Sequence, residues 1–141
     1  MSFSVLRTSD AWWVSVPTGV RRIDTTATTT AELIADRDAV AAAASGDGDV
    51  VDPATLTLVS PVTAPCRVIA QMTNYASHVR DSGMDPDKVP LTFFRKSSGS
   101  ITGPADDIVK PAHVALLDYE VEIGIVFGQT VPVGSDVDEE L

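Results

Sequence analysis

The chain has one cysteine, no long hydrophobic run and no leader-like N-terminus. Cys66 is the single cysteine among 141 residues, so no disulfide can form within the chain, and we interpret it as a small packing residue. No apolar run approaches the roughly 20 residues that a membrane-spanning helix needs. The first residues lack the basic start and apolar stretch of a secretory signal. We therefore expect a cytoplasmic protein with no membrane partner.

Basic residues are also scarce. The 10 Lys and Arg residues face 20 Asp and Glu residues, which gives a formal net charge of −10. A nucleic-acid partner needs a clustered basic surface, so we expect none. The chain contains no GxGxxG motif and no P-loop, so no phosphate cradle is predicted. Part of the acidity is local, in Asp136, Asp138, Glu139 and Glu140, a run typical of a solvated loop or helix start.

The first 60 residues have the pattern of a small α+β domain. Short apolar segments at 3–6, 11–16 and 20–23 predict a three-stranded meander with a turn at 17–19. Thr29 and Glu32 fit a capping box, which predicts one helix over about 30–45. Residues 45–52 carry alternating acids but lack the later glycine and the terminal glutamate of a calcium loop, so a flexible linker is the interpretation we favour. We place the boundary of this domain, 1–60, near residue 60.

Residues 61–141 read as a different, mainly β region. Strands are predicted near 67–71, 91–95 and 116–127, and prolines punctuate the segments between them. The fold class expected for the whole chain is α+β, mainly β.

An acidic strand is predicted between Asp118 and Phe127, where apolar and polar residues alternate. The alternation sends Asp118, Glu120 and Glu122 to one face, about 6.6 Å apart at successive positions. Three carboxylates at that spacing repel one another unless a cation lies between them, and Mg²⁺ or Ca²⁺ prefers such oxygens. The alternative is a half-exposed strand with a solvated acidic face.

A second group of polar residues follows the strand at 67–71. A short helix over 74–82, capped by Thr73 or Asn74 and stopped by Gly83, would place His78 and Asp81 on one face. A carboxylate beside an imidazole fixes its tautomer and raises its basicity, as a general base requires. Taken alone, such a pair is also compatible with a structural role on the surface.

Four motifs follow one another along roughly residues 60–135: Asn74-Tyr75-Ala76-Ser77-His78-Val79-Arg80-Asp81, Pro90-Leu91-Thr92-Phe93-Phe94-Arg95-Lys96, Gly103-Pro104-Ala105-Asp106 and Asp118-Tyr119-Glu120-Val121-Glu122. In this collinear order they resemble the fumarylacetoacetate hydrolase family.

The resemblance implies a distorted β-roll or sandwich catalytic domain, of which 61–141 would be the first part, in a protein that forms homodimers. It implies Mg²⁺, Mn²⁺ or Ca²⁺ in an acidic pocket and a small 2-oxo or diketo acid substrate. The expected activity is metal-dependent hydrolysis of a carbon–carbon bond in an acylpyruvate-like compound. A hydratase, isomerase or decarboxylase of aromatic-compound catabolism is an alternative, and so is a non-catalytic or partner-dependent fragment of this fold.

The resemblance also assigns roles to residues. It implies that Glu120 and Glu122 are metal ligands and that His78 with Asp81 activates water. Lys96 would pair with a substrate carboxylate or oxyanion, although a solvated lysine fits the strand end equally well. Tyr75 and Arg80 are the candidates for substrate contact; Tyr75 with Asn74 alternatively fixes the His78 loop, and Arg80 alternatively faces solvent.

Two departures from the family pattern are visible. Asp81 stands where many members have glutamate, which shortens the reach toward His78 by one methylene. The pattern also continues beyond Leu141 to a third metal ligand, an aspartate in a later strand. We therefore expect a member truncated before the C-terminal part of the catalytic domain, either dependent on a partner or part of a longer polypeptide.

Overall fold

An antiparallel sheet forms in the first part of the chain because apolar residues alternate along short segments between turn residues. The structure, a computed structural model, describes residues 2–135. In it β1 (Val5–Arg7), β2 (Trp12–Val16) and β3 (Gly19–Arg22) pair in chain order, with Val5 opposite Val14 and Ser15 opposite Val20. The strands expected from the sequence are therefore present.

The segment interpreted as a flexible linker contains a fourth strand. β4 (Val50–Val51) pairs antiparallel with β3 and completes the sheet. Arg21 holds the preceding loop in place, because its guanidinium donates to the carbonyl oxygens of Gly48 at 2.9 Å and Ala43 at 2.7 Å. The linker interpretation is wrong for the end of this segment, since contacts with β3 fix its path.

The predicted helix is present as two helices. α1 (Thr30–Ala35) ends and α2 (Arg37–Ser45) begins at Asp36, whose backbone (φ −92°, ψ 54°) is not helical. The Thr25 hydroxyl donates to the Asp36 carboxylate at 2.5 Å, a contact that fixes the break. The prediction of one continuous helix is wrong, because it did not include this contact between distant residues.

The capping box at the start of α1 is confirmed. The Thr29 side chain accepts from the Glu32 N–H, and the Glu32 carboxylate accepts from the N–H groups of Thr28 and Thr29. These hydrogen bonds hold the pKa of the Glu32 carboxyl below its ordinary value, and the bond from the Thr28 N–H contributes most.

The hydrophobic core lies between this sheet and the two helices. Its buried members come from β2, the residue after β3 and one face of each helix: Trp12, Val14, Ile23, Leu33 and Val40. The Trp12 indole N–H donates to the Ala27 carbonyl at 2.9 Å, so the ring is buried without leaving its polar atom unpaired.

The chain divides into two compact units. The central unit is Val62–Thr102, and the terminal unit comprises the described residues through Pro61 with those from Gly103 onward. In the central unit β5 (Val68–Gln71) pairs antiparallel with β6 (Phe93–Lys96), and α3 (Ala76–Asp81) lies between them in sequence. Both strands predicted for this stretch are present. The domain boundary near residue 60 stays a prediction.

The predicted strand near 116–127 is absent. Residues 103–135 contain no strand or helix, and the side chains of Tyr119, Val121 and Ile123 are 84%, 93% and 94% exposed. Alternation yields a strand only where a neighbouring strand supplies backbone hydrogen bonds, and none does so for this part of the described chain.

The class of the fold is confirmed as mixed α+β with mainly β structure, whereas the β-roll stays a prediction. Within residues 2–135 no helix has the length and apolar character needed to cross a membrane. The acidic run from Asp136 to Glu140 lies outside the described residues.

Candidate active site

The helix expected to carry the catalytic pair is α3. It ends at Asp81, and Gly83 follows with φ +75°, a conformation that favours glycine after a helix. Val79 is 2% exposed and anchors the helix, while His78 and Asp81 on the same helix are exposed to solvent. The predicted helix and its glycine stop are confirmed.

The predicted N-terminal cap is wrong. The residue that precedes the helix is Tyr75, and its side chain makes no capping hydrogen bond. Asn74 is engaged elsewhere: its side-chain Oδ1 accepts from the Thr92 N–H at 2.8 Å, and its Nδ2 donates to the Thr92 carbonyl at 2.9 Å. Local sequence could not reveal this, because the partner lies 18 residues away.

The structure places His78 and Asp81 three residues apart on one helix without joining them. Within residues 2–135 neither side chain forms a hydrogen bond or ion pair with the other. The shorter reach of aspartate, compared with glutamate, is the physical reason to expect a weak pairing. The imidazole is open to water, which a base that activates water requires.

Lys96 is the last residue of β6 and lies opposite Val68 of β5. Its ammonium group is 5.5 Å from the centroid of the Phe94 ring, two residues earlier on the same face of the strand. The side chain is exposed. Arg95 projects to the opposite face, so β6 presents one cation on each side.

Tyr75 and Arg80 flank His78 in sequence and are both exposed, Tyr75 to 69%. Among the described residues, neither side chain makes a hydrogen bond or ion pair within the protein. Both remain accessible to a ligand, and their role as substrate contacts stays a prediction.

The central unit is basic although the chain is acidic. Its cations are Arg67, Arg80, Lys88, Arg95 and Lys96. Its carboxylates are Asp81, Asp85 and Asp87. Five positive and three negative side chains give a formal charge of +2, against −10 for the whole chain. Lys88 pairs with Asp85 at 2.8 Å, and this pair lowers the pKa of the Asp85 carboxyl. Neighbouring positive charge attracts an anionic ligand.

Glu120 and Glu122, the predicted metal ligands, belong to the terminal unit. Both are exposed and lie in the segment without regular secondary structure. Asp118 accepts a hydrogen bond from the Tyr119 N–H at 2.8 Å.

The chemistry of the donor set fits a hard divalent cation. Mg²⁺ is commonly held by one or two carboxylates and keeps several waters, so two glutamates match its preference. Over residues 2–135 no group of three or more His, Cys, Asp or Glu side chains is arranged to hold a metal ion. The assignment of Glu120 and Glu122 as metal ligands stays a prediction.

Comparison with known proteins connects these residues to one family. The model described as fumarylacetoacetate (FAA) hydrolase C-terminal matches residues 67–140, just over half of the chain. This range contains all seven candidate site residues. No solved structure matches the chain.

Curated relatives include tautomerases and a hydrolase. A mitochondrial oxaloacetate tautomerase of Bos taurus is 35% identical over 80 residues, which cover 57% of this chain and 25% of the relative. A second, of Rattus norvegicus, is 39% identical over 74 residues, covering 52% and 23%. A predicted hydrolase of Burkholderia ambifaria is 42% identical over 96 residues, covering 63% and 33%.

The chain thus spans about a third or less of the length of the curated relatives it matches. The family match over residues 67–140 shows that this chain belongs to the fumarylacetoacetate hydrolase family.

Proposed function

We propose that the protein is a divalent-metal-dependent enzyme that hydrolyses a carbon–carbon bond in a small diketo or 2-oxo acid of the acylpyruvate type. The observation that carries the proposal is the central unit: a water-accessible histidine on a short helix lies in a unit of charge +2 within a strongly acidic chain. Such a unit favours a small anion over a neutral substrate.

The metal we propose is Mg²⁺, held by the carboxylates of Glu120 and Glu122. Mn²⁺ and Ca²⁺ are the alternatives, since both also bind carboxylate oxygens. When bound, a divalent metal polarises the keto and carboxylate oxygens of a 2-oxo acid and stabilises negative charge on them.

His78 is the proposed general base. An imidazole nitrogen accepts a proton from water while the hydroxide adds to the carbonyl carbon remote from the carboxylate. The bond from that carbon to its neighbour then breaks, its electron pair stays on the 2-oxo acid fragment as an enolate, and the imidazolium returns the proton. Asp81, on the same helix, would stabilise the imidazolium through its negative charge.

Three other side chains have proposed substrate roles. Lys96 pairs with the substrate carboxylate or the oxyanion, and Arg80 supplies a second positive charge. Tyr75 offers a largely exposed ring and hydroxyl beside the histidine helix. These roles explain how a small acid could be selected by charge.

The chain offers a matched control for the histidine assignment, because it contains two histidines. His113 is exposed and lies in the terminal unit. With Mg²⁺ and an acylpyruvate, we expect His78→Ala to abolish pyruvate release and His113→Ala to leave it unchanged. Both variants should keep any stabilisation by Mg²⁺. Equal pyruvate release by His78→Ala and the wild type would rule out the base assignment.

A second candidate function is keto–enol tautomerisation of oxaloacetate. It is favoured by the oxaloacetate tautomerases of Bos taurus and Rattus norvegicus, which match part of this chain at 35% and 39% identity. The reaction moves one proton between carbon and oxygen and breaks no carbon–carbon bond, so His78 alone could perform the transfer. Faster decay of the enol absorbance of oxaloacetate, without pyruvate release from acylpyruvates, would select this candidate.

We also propose that the protein forms a homodimer. The side chains of Val121, Ile123 and Ile125 are exposed and apolar, and such surface is typical of a protein–protein interface. Sedimentation equilibrium should then give about twice the chain mass of 14.9 kDa. Cytoplasmic location and a role in aromatic-compound catabolism stay predictions.

A further inference from the structure

We propose that Asn74 is a positioning residue for His78, because its side-chain amide closes the base of the loop that carries α3. The inference rests on the proposed role of His78 as the base. It concerns the central unit alone, in which both residues lie.

The backbone ladder between β5 and β6 ends just before Asn74. The last strand pair is Gln71 opposite Phe93, and the Met72 N–H adds one more bond, to the Thr92 carbonyl at 3.0 Å. Beyond this point the chain leaves the sheet for the loop of residues 73–91, and α3 begins two residues after Asn74. The base of this loop lies at residues 72–74 on one side and 92 on the other.

Asn74 extends the ladder with its side chain. Its Oδ1 accepts from the Thr92 N–H at 2.8 Å and its Nδ2 donates to the Thr92 carbonyl at 2.9 Å, the pairing that a strand residue would make through its backbone. The Thr92 carbonyl therefore accepts from both Met72 and Asn74. The Asn74 backbone N–H also donates to the Met72 carbonyl at 2.8 Å, which restricts the chain further.

The chemistry of the contact requires an amide. It needs a donor atom and a separate acceptor atom at the end of a short side chain. Asparagine supplies both, whereas alanine supplies neither and serine has only one oxygen. Without the amide, the segment from residue 73 into α3 would keep its backbone bonds at Met72 and the burial of Val79, but it would lose the two bonds that join residue 74 to Thr92 across the base of the loop. A rotation there would move His78 relative to the rest of the central unit, including Lys96.

The first test compares Asn74→Ala with Gln71→Ala. Gln71 is the matched control. Its Oε1 accepts from the Asn74 side-chain amide at 3.2 Å, and this exposed hydrogen bond does not involve Thr92. We expect Asn74→Ala to lower kcat by about 10- to 100-fold through misplacement of the base. KM should change by no more than about twofold, because the binding residues remain. Gln71→Ala should match the wild type.

Two measurements test the pairing of Asn74 with Thr92 without using enzyme activity. In Asn74→Ala, exchange of the Thr92 amide hydrogen should accelerate and the NMR signals of the His78 ring should shift, while those of His113 stay in place. Faster exchange with unmoved His78 signals would overturn the positioning role, and so would unchanged exchange. If the wild type is inactive on every substrate tested, the proposed function fails, and these two measurements still decide whether Asn74 positions His78.

Asn74→Asp should restore the pairing with Thr92 at low pH, a result that a general loss of folding would not produce. A carboxylate at this position repels the Thr92 carbonyl, which opposes the pairing although the Thr92 N–H can still donate to it, whereas a protonated carboxyl can donate to that carbonyl. Because only the protonated form makes both bonds without this repulsion, protection of the Thr92 amide, compared with the wild type at the same pH, should be reduced at neutral pH and should recover toward the wild-type level as the pH falls. Protection that is equally weak at both pH values would contradict the proposal.

Discussion

Arg21 should determine whether the segment after α2 becomes a strand or a free linker. Its guanidinium donates to three carbonyl oxygens: Ala43 at 2.7 Å, Gly48 at 2.9 Å and Ala44 at 3.3 Å. Two of these carbonyls belong to the last turn of α2, where a positive charge also interacts favourably with the helix dipole. The change we consider is Arg21→Gln, which retains part of the stem and removes the charge.

The magnitude follows from the number and kind of these bonds. A hydrogen bond to a charged group contributes about 1.5 to 3 kcal/mol when desolvated. The three bonds share one partly exposed side chain and are not additive, so we expect a total loss near 2 kcal/mol, as an order of magnitude. For 141 residues the entropy of unfolding is about 0.3 kcal/mol per kelvin, which converts this loss into a fall in Tm of about 7 °C.

The assay is thermal unfolding followed by tryptophan fluorescence, since Trp12 and Trp13 both lie on β2 beside β3. Arg22→Gln is the control: it makes the same change in charge one residue later, at an exposed side chain with no hydrogen bond among residues 2–135. A Tm for Arg21→Gln equal to that of Arg22→Gln would refute the reasoning.

Three further changes in the terminal unit have definite expected outcomes. Leu33→Ala should lower the free energy of unfolding by about 3 kcal/mol in a urea titration, because the side chain is 2% exposed and its loss leaves a cavity. Gly19→Ala should also be destabilising in that titration, since an added Cβ would lie 2.5 Å from the Val51 carbonyl oxygen and separate β3 from β4. The folded-state pKa of Glu32 is lowered, so its contribution is present above the ordinary carboxyl pKa and is lost as the pH falls through the folded-state value. Glu32→Gln should therefore remove part of the acid-induced loss of stability, and an unchanged pH profile would contradict this.

Local signals were sufficient where the structure depends on neighbours in sequence. The capping box of Thr29 and Glu32, the turn before Gly19 and the stop at Gly83 each involve residues within a few positions, and each is observed. The helix carrying His78 and Asp81 was predictable for the same reason.

Predictions failed where a distant contact decides the outcome. The break at Asp36 depends on Thr25, 11 residues earlier. The strand at Val50–Val51 depends on β3 and on Arg21, and its two residues carry too little pattern to predict it. In the acidic segment the opposite happened: the alternation around Val121 is strong, but no partner strand pairs with it in the described chain.

In the candidate site, too, local features were predictable and features that depend on distant contacts were not. The sequence and the family resemblance selected the residue types, and the structure places His78 and Lys96 on regular elements. The role of Asn74 could not be predicted in detail, because Thr92 becomes its partner only when β5 and β6 pair. The positions of Glu120 and Glu122 were tied to a strand that the structure does not contain.

The most direct test of the central claim is the change in Tm that Mg²⁺ produces. With a dissociation constant of about 1 mM, 10 mM Mg²⁺ would stabilise the protein by about 1.4 kcal/mol, or about 5 °C. Glu120→Gln combined with Glu122→Gln should remove this rise. Asp87→Asn combined with Asp107→Asn neutralises two other exposed carboxylates and should preserve it. An equal rise in both double variants, or no rise in the wild type, would contradict a metal-dependent enzyme that uses these two glutamates.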